Sequence, residues 1–175
     1  MSSFMQDNRL GREDGFTLVE LVLVVIVIAI LSAGANVAMD GMDRARLHGA
    51  SRRLISDLRF AQQATLTKQI RHGIIFTANT YTVFENDLTS DPARNPQGGG
   101  DFTVDFTSGE FQGVTIATGA PGTTLPGLVV KFASRGEPLD GTNTPLTAAT
   151  NQVTLTYKGF SRSITITPET GKVNK

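Results

Sequence analysis

Glu20 is the residue whose position demands a chemical explanation. It stands at the head of an apolar stretch: residues 21 to 39 carry no charge, and Leu21 to Leu31 is an unbroken apolar run. An ionised carboxylate within lipid is costly, by about 3 kcal/mol even on lenient insertion scales, unless it snorkels to the interface or meets a cation. Other reactive side chains are scarce. The absence of cysteine removes disulfides, thiolate zinc sites and cysteine nucleophiles, and the two histidines, His48 and His72, have no serine–acid arrangement implied by spacing. Glu85, Asp87, Asp91, Asp101 and Asp105 form an acidic cluster whose spacing matches no compact calcium loop, so a solvated patch is expected. Gly98-Gly99-Gly100 lacks the strand, helix and lysine of a phosphate-cradling loop. The expectation is a non-enzyme with no cofactor and no metal.

The elements that must carry Glu20 follow from hydropathy. Phe16 to Met39 is 24 residues, roughly 36 Å as helix, enough to cross a hydrocarbon core of about 30 Å. A secretory signal peptide would have a shorter apolar run, a basic front and a small-residue cleavage site, for which Ser32-Ala33-Gly34-Ala35 is a weak candidate. Beyond the span, Leu47, Ala50, Leu54, Leu58, Ala61 and Thr65 recur at three- and four-residue steps, with Arg46, Arg52, Arg53, Arg59 and Lys68 between them. The spacing predicts one helix from about Phe16 to Gln69, bent at Gly34 and Gly41, apolar all round in its first half and amphipathic in its second. Its arginines read as a solvated face or a contact surface for neighbours.

After Gly73 the period turns to alternation. Runs at Ile74 to Thr77, Thr80 to Glu85, Phe102 to Phe106, Gln112 to Ala117, Leu128 to Phe132, Val153 to Tyr157 and Ser163 to Thr167 predict an antiparallel β-sheet. Turns are expected at Ala78-Asn79, Lys158-Gly159 and Pro168 to Gly171, before a last short strand. Asn86 to Gly100 and Arg135 to Thr150 read as loops. Burying Leu47, Leu54 and Leu58 under the sheet makes one head. The fold class is therefore α+β.

Gly15-Phe16-Thr17-Leu18-Val19-Glu20, followed by Leu21 to Leu31, resembles the processing motif of type IV pilin-like proteins, the pilins and pseudopilins. The resemblance implies that a prepilin peptidase cuts after Gly15 and methylates Phe16, and that Glu20 is the filament-assembly residue. Cleavage would expose an α-amino group of reference pKa about 7.7 to 8.0, still largely cationic at neutral pH, which a neighbouring subunit's Glu20 can neutralise. Such a pair fixes register more surely than it adds stability. The domains expected are a leader (1–15), a transmembrane half-helix (16–39), an amphipathic half-helix (40–72) and a periplasmic β-sheet head (73–175). Arg44, Arg46, Arg52 and Arg53 just past the span would by count place the C-terminal side in the cytoplasm. The motif places the leader there instead, giving a single-pass inner-membrane protein with a periplasmic head.

Within that superfamily the head resembles the GspH/FimT type. Asp57-Leu58, Ala61 and Ala64 on the helix, Phe132 to Gly136 at a strand end, and the terminal Gly171-Lys172-Val173 carry the likeness, which covers residues 12 to 175. It implies a minor pseudopilin of a type II secretion system. The implied partners are other major and minor pseudopilins, the prepilin peptidase, the inner-membrane assembly platform and secreted cargo. A minor pilin of a type IV pilus has the same N-terminal physics. FimT-like DNA receptors suggest a further alternative, in which Lys158, Arg162, Lys172 and Lys175 grip phosphates in a salt-dependent way.

Charge is balanced overall, 16 basic against 16 acidic, but not locally. Residues 38 to 72 sum to +4, 73 to 119 to −5 and 120 to 175 to +3. An electrically two-sided head suits head-to-tail contact between unlike faces.

Overall fold

The computed structural model describes residues 16–86, 91–117, 128–149 and 151–174, with side chains omitted for 33–39. The expected leader, Gly15, Asp87 and Lys175 lie outside the described residues. By internal contacts the chain divides into Met1–Asp40 and Gly41–Lys175. A single helix, α1 (Leu18–Lys68), continues through Gly34 and Gly41 without interruption.

In the first unit, residues 16 to 32 are exposed around the whole helix. Phe16 is 83% and Leu18 79% accessible. An apolar helix with no polar face is stable only when lipid or other helices cover it. Among the described residues no helix is long and apolar enough to cross a membrane. The fully described stretch, 16–32, reaches only about 25 Å, and the rest of the expected span falls on the omitted side chains.

The second unit is built on the helical stripe. Leu47, Ala50, Leu54, Leu58, Ala61 and Thr65 are all buried, as their three- and four-residue spacing predicts. They pack against two antiparallel sheets rather than the single one expected. The strands are β1 (His72–Phe76), β2 (Thr80–Glu85), β3 (Thr103–Asp105), β4 (Thr115–Ala117), β5 (Val129–Phe132), β6 (Pro138–Leu139), β7 (Gln152–Tyr157), β8 (Phe160–Ile166) and β9 (Val173–Asn174). One sheet has the order β3-β2-β1-β5-β6, the other β4-β7-β8-β9. Both contribute to one core. Ile74, Tyr81, Val83, Val130 and Phe132 come from the first sheet, and Ile116, Val153, Leu155, Ile164 and Ile166 from the second. On β7, Val153, Leu155 and Tyr157 are buried while the residues between them are half-buried, the period-two signature of a sheet with one face on the core. Thr154 and Ser163, and Thr115 and Thr156, pair their hydroxyls across strands at 3.0 and 2.6 Å.

Turn chemistry sets the registers. Lys158 and Gly159 both have positive φ, 45° and 85°, the type I′ geometry that matches strand twist, and the β7–β8 ladder runs six pairs from Tyr157↔Phe160 to Gln152↔Thr165. β8 therefore begins three residues before the expected Ser163. At the β1–β2 hairpin Thr77 N donates to Thr80 O at 2.8 Å, and β1 starts at His72 because His72 pairs with Glu85. The Arg135 to Thr150 stretch, expected to hold no strand, contains β6, bonded to β5 through Lys131↔Leu139 and Phe132↔Pro138. A proline serves there because β6 is an edge strand. The described part of the Asn86 to Gly100 loop is similarly tied down, with bridges Phe84↔Pro92 and Arg94↔Asp101.

Candidate functional site

Two places carry the residues that the sequence singles out. The first is the start of α1. Thr17 is its N-cap: Glu20 N donates to Thr17 Oγ1 at 3.2 Å, and Leu21 N donates to Thr17 O at 3.1 Å. Threonine followed three residues later by glutamate is the capping-box pattern, and an acidic residue in the first turn also suits the helix dipole. Phe16, just before the cap, and Leu21, four residues after it, line one wholly apolar hollow with Val24 and Val25. Those are the positions of a hydrophobic staple. The residues that follow Gly15 thus carry a helix-start signature in which Thr17 supplies the cap, and the Glu20 carboxylate is exposed in the first turn. Sequence reasoning found Glu20 through its cost in lipid and overlooked Thr17, although the Thr-x-x-Glu spacing was there to be read.

The second place is the seam between helix and sheets. Arg46 Nη1 donates to Tyr157 Oη at 2.9 Å and to Gln112 O at 3.2 Å. Arg59 Nη2 donates to Val173 O at 3.1 Å, and Lys68 Nζ lies 3.5 Å from Glu85 Oε2. Arg44 stacks over the Phe160 ring at 4.7 Å. These side chains tie α1 to the strands, so the helix does not present a uniformly solvated basic row.

Asp57 is the centre of this seam. It is buried, and its Oδ2 accepts from Tyr81 Oη at 2.6 Å and from Arg53 Nε at 3.0 Å. Arg53 Nη1 continues to Gln97 Oε1 at 3.1 Å, linking helix, β2 and the loop before β3. Burial pushes the Asp57 carboxyl above its ordinary range, and the bonds from Tyr81 and Arg53 pull it only part of the way back. Tyr81 is pushed well above the usual phenol range, first by burial and then by the Asp57 charge. The Asp57-Leu58 pair of the sequence motif thus divides its work: Leu58 enters the core and Asp57 anchors the strand.

The other motif residues converge as well. Gln62 Nε2 donates to Gly136 O at 2.9 Å and to Thr170 O at 2.8 Å. A Cβ on Gly171 would stand 2.5 Å from both Gln62 Nε2 and Gly136 O and 3.2 Å from Phe132, at a φ of +66°. Phe132, Gly136 and Gly171 therefore meet at Gln62, a residue that sequence reasoning left unremarked because a lone glutamine on a helix carries no local signal.

The described basic residues suggested for phosphate contact stand in different settings. Lys158, at the β7–β8 turn, is ion-paired with Asp43 at 3.1 Å, which holds its ammonium above the ordinary lysine range. Arg162 alternates with exposed Ser161 and Ser163 on β8 and lies on the core side with Ile164, its Nε buried without a partner. Lys172 is exposed on the approach to β9, and Lys175 lies outside the described residues. Among the described residues no group of three or more histidine, aspartate or glutamate side chains is placed to hold a metal ion.

A family model described as "Prokaryotic N-terminal methylation motif" matches residues 10–36, a stretch that includes Gly15, Phe16 and Glu20. The match supports a subunit of the type IV pilin-like class, pseudopilin or pilin, and implies processing by a prepilin peptidase and assembly into a pilus-like filament. No curated protein and no solved structure matches the chain.

Proposed function

We propose that this chain is a GspH/FimT-type minor pseudopilin of a type II secretion system, a structural subunit of the periplasmic pseudopilus or its tip and not an enzyme. The observation that supports it is the methylation motif over residues 10–36, which speaks for a pilin-like subunit. Cleavage after Gly15 frees the amine of Phe16 one residue ahead of the N-cap. Residues 16 to 39 anchor the subunit in the inner membrane, with the Gly41–Lys175 unit on the periplasmic side. Extraction into the filament replaces lipid around the apolar helix with neighbouring helices. The Glu20 carboxylate, left exposed by its own helix, then meets the Phe16 amine of the next subunit. Low dielectric strengthens that pair while desolvation offsets it, so its main effect is on axial register.

The capping geometry supports this division of labour. Glu20 N is occupied by Thr17, which orients the first turn, while the carboxylate remains available to a neighbour. Other pseudopilins, the assembly platform and secreted cargo are the partners of this reading. The type IV pilus reading shares all of this N-terminal physics, and co-purification of the full-length chain from its native envelope separates the two by which assembly proteins it retains. The DNA-receptor reading needs Lys158, Arg162, Lys172 and Lys175 on one surface. The Lys158–Asp43 pair and the inward face of Arg162 favour the structural reading over it. The test of the proposal is Glu20→Ala: filament incorporation and secretion should fall sharply while membrane levels hold, and assembly at the wild-type level would overturn it.

A further inference from the structure

A groove of about 540 Å³ runs beside α1 in the Gly41–Lys175 unit, lined by Arg52, Ile55, Ser56 and Arg59 of the helix and by Val173 and Asn174 of β9. β9 is the last strand of its sheet, so its outer edge pairs with no strand. Thr167 N donates to Lys172 O at 2.8 Å, which turns the Lys172 carbonyl toward β8. Val173, one residue on, turns its carbonyl to the outer edge, where it accepts from Arg59 Nη2 at 3.1 Å, so this guanidinium is held at the groove by its own chain. Arg52 and Arg59 are seven residues apart, two turns along one helix face, and both are exposed with Ser56 between them. No acidic side chain lines the groove, and among the described residues neither guanidinium has an ion-pair partner.

The far flank of the same unit has the opposite sign. Between Gly73 and Ala117 the sequence holds one basic residue, Arg94, against six acidic ones. Asp101, Asp105 and Glu110 are exposed along β3 and the turn toward β4, and β3 is itself an edge strand. Thr107 donates its N–H and hydroxyl to the Asp105 carboxylate at 2.7 and 2.9 Å, fixing it in place. The flanks are on opposite sides of the sheets. Phe106 N to Asn79 O and Ile116 N to Ala78 O bring the β3 and β4 ends together, while Gln62 joins the turn before β6 to the turn before β9.

We propose that the Arg52–Arg59 groove receives the Asp101–Glu110 edge of a second copy of this chain. Two planar guanidiniums spaced two turns apart along the groove suit carboxylates carried on an extended strand. Because the two patches are different surfaces on opposite flanks, the contact is heterologous and leaves a free patch on each end of a linked pair for a further copy. Exposed charges are screened, so the contact sets register and weakens with salt. It involves only the second unit and does not depend on cleavage at Gly15. Failure of processing would undo the proposed function and leave this contact measurable.

The chain has no native cysteine, which allows a clean test in the full-length protein extracted in mild detergent. One copy carries Ser56→Cys in the groove and the other Ser108→Cys beside the acidic edge, both at exposed positions. A short bis-maleimide should link the mixed pair at low salt and progressively less as salt rises. Arg52→Glu with Arg59→Glu on the first copy should lower the yield at least about fivefold, and Asp101→Lys with Asp105→Lys on the second should restore it. Arg52→Glu alone, which keeps the Arg59 bond to Val173, should give a smaller loss with an unchanged melting curve. A mixed-pair yield indifferent to charge reversal and salt would overturn the proposal. So would a Ser56→Cys copy that links mainly to itself, since that is a symmetric contact.

Discussion

Tyr81→Phe removes one oxygen and leaves the ring in place, which makes it a sharp probe of the helix–sheet seam. The lost bond is the 2.6 Å donation to the buried Asp57 carboxylate, which would then rely on Arg53 alone. A hydrogen bond to a charged group contributes about 1.5 to 3 kcal/mol, so a loss of about 2 kcal/mol is expected at neutral pH. For a unit of this size that lowers the melting temperature by about 6 °C. The pH dependence has a definite sign. Burial already raises the Asp57 carboxyl, so the stability associated with this group is greatest below the ordinary carboxylate range and declines as pH rises through its folded value. The phenol hydroxyl favours the ionised form, so removing it raises the carboxyl further and deepens that decline. Well below the ordinary carboxylate range the carboxyl is protonated in both states, and the variant should lose only about 1 kcal/mol, the contribution of a neutral hydrogen bond. Thermal unfolding of both proteins from pH 3 to 8 reads the difference. Equal losses at both ends of that range, or a loss under about 0.5 kcal/mol at pH 7, would refute the view that the Tyr81 bond sustains an ionised Asp57.

Gly171→Ala should cost about 2 to 4 kcal/mol, because its Cβ would sit 2.5 Å from both Gln62 and the Gly136 carbonyl at a positive φ; chemical denaturation measures it. Gln62→Ala leaves two carbonyls without their donor and should cost about 1 to 3 kcal/mol by the same measurement. Lys158→Ala should leave the melting curve nearly unchanged, since its pair with Asp43 is exposed, and should not alter DNA retention in a low-salt gel shift. Glu20→Gln keeps the size and hydrogen bonding of the first turn but removes the charge; filament incorporation should drop about as far as in Glu20→Ala, read by shearing and immunoblotting.

The helix stripe was legible because burial on a helix has a period that the sequence must repeat, and Leu47 through Thr65 repeat it. Hairpins were legible for a local reason too: Lys158-Gly159 adopts a backbone that glycine tolerates and that strand twist demands. The division into two sheets was not, because alternation shows that a strand has a buried face without naming its neighbour. β6 was hidden by Pro138 and by its length of two residues, below what alternation can reveal. At the functional end, Glu20 announced itself through the cost of charge in an apolar run, whereas Thr17 required reading spacing as capping. Gln62 and the Tyr81–Asp57 bond join residues 74 and 24 positions apart or more, distances over which a single sequence carries no pairing signal. The four basic residues illustrate the reverse case. The likeness to FimT-like DNA receptors suggested them as phosphate contacts, but alternation on β8 sends Arg162 toward the core and a neighbouring aspartate engages Lys158.

The central claim is that a newly freed amine at Phe16 meets Glu20 of a neighbouring subunit. Intact mass and N-terminal peptide mass spectrometry on the protein extracted from its native membrane tests it most directly. A chain beginning at N-methylated Phe16 is the predicted result; a chain that retains residues 1 to 15 would contradict the account.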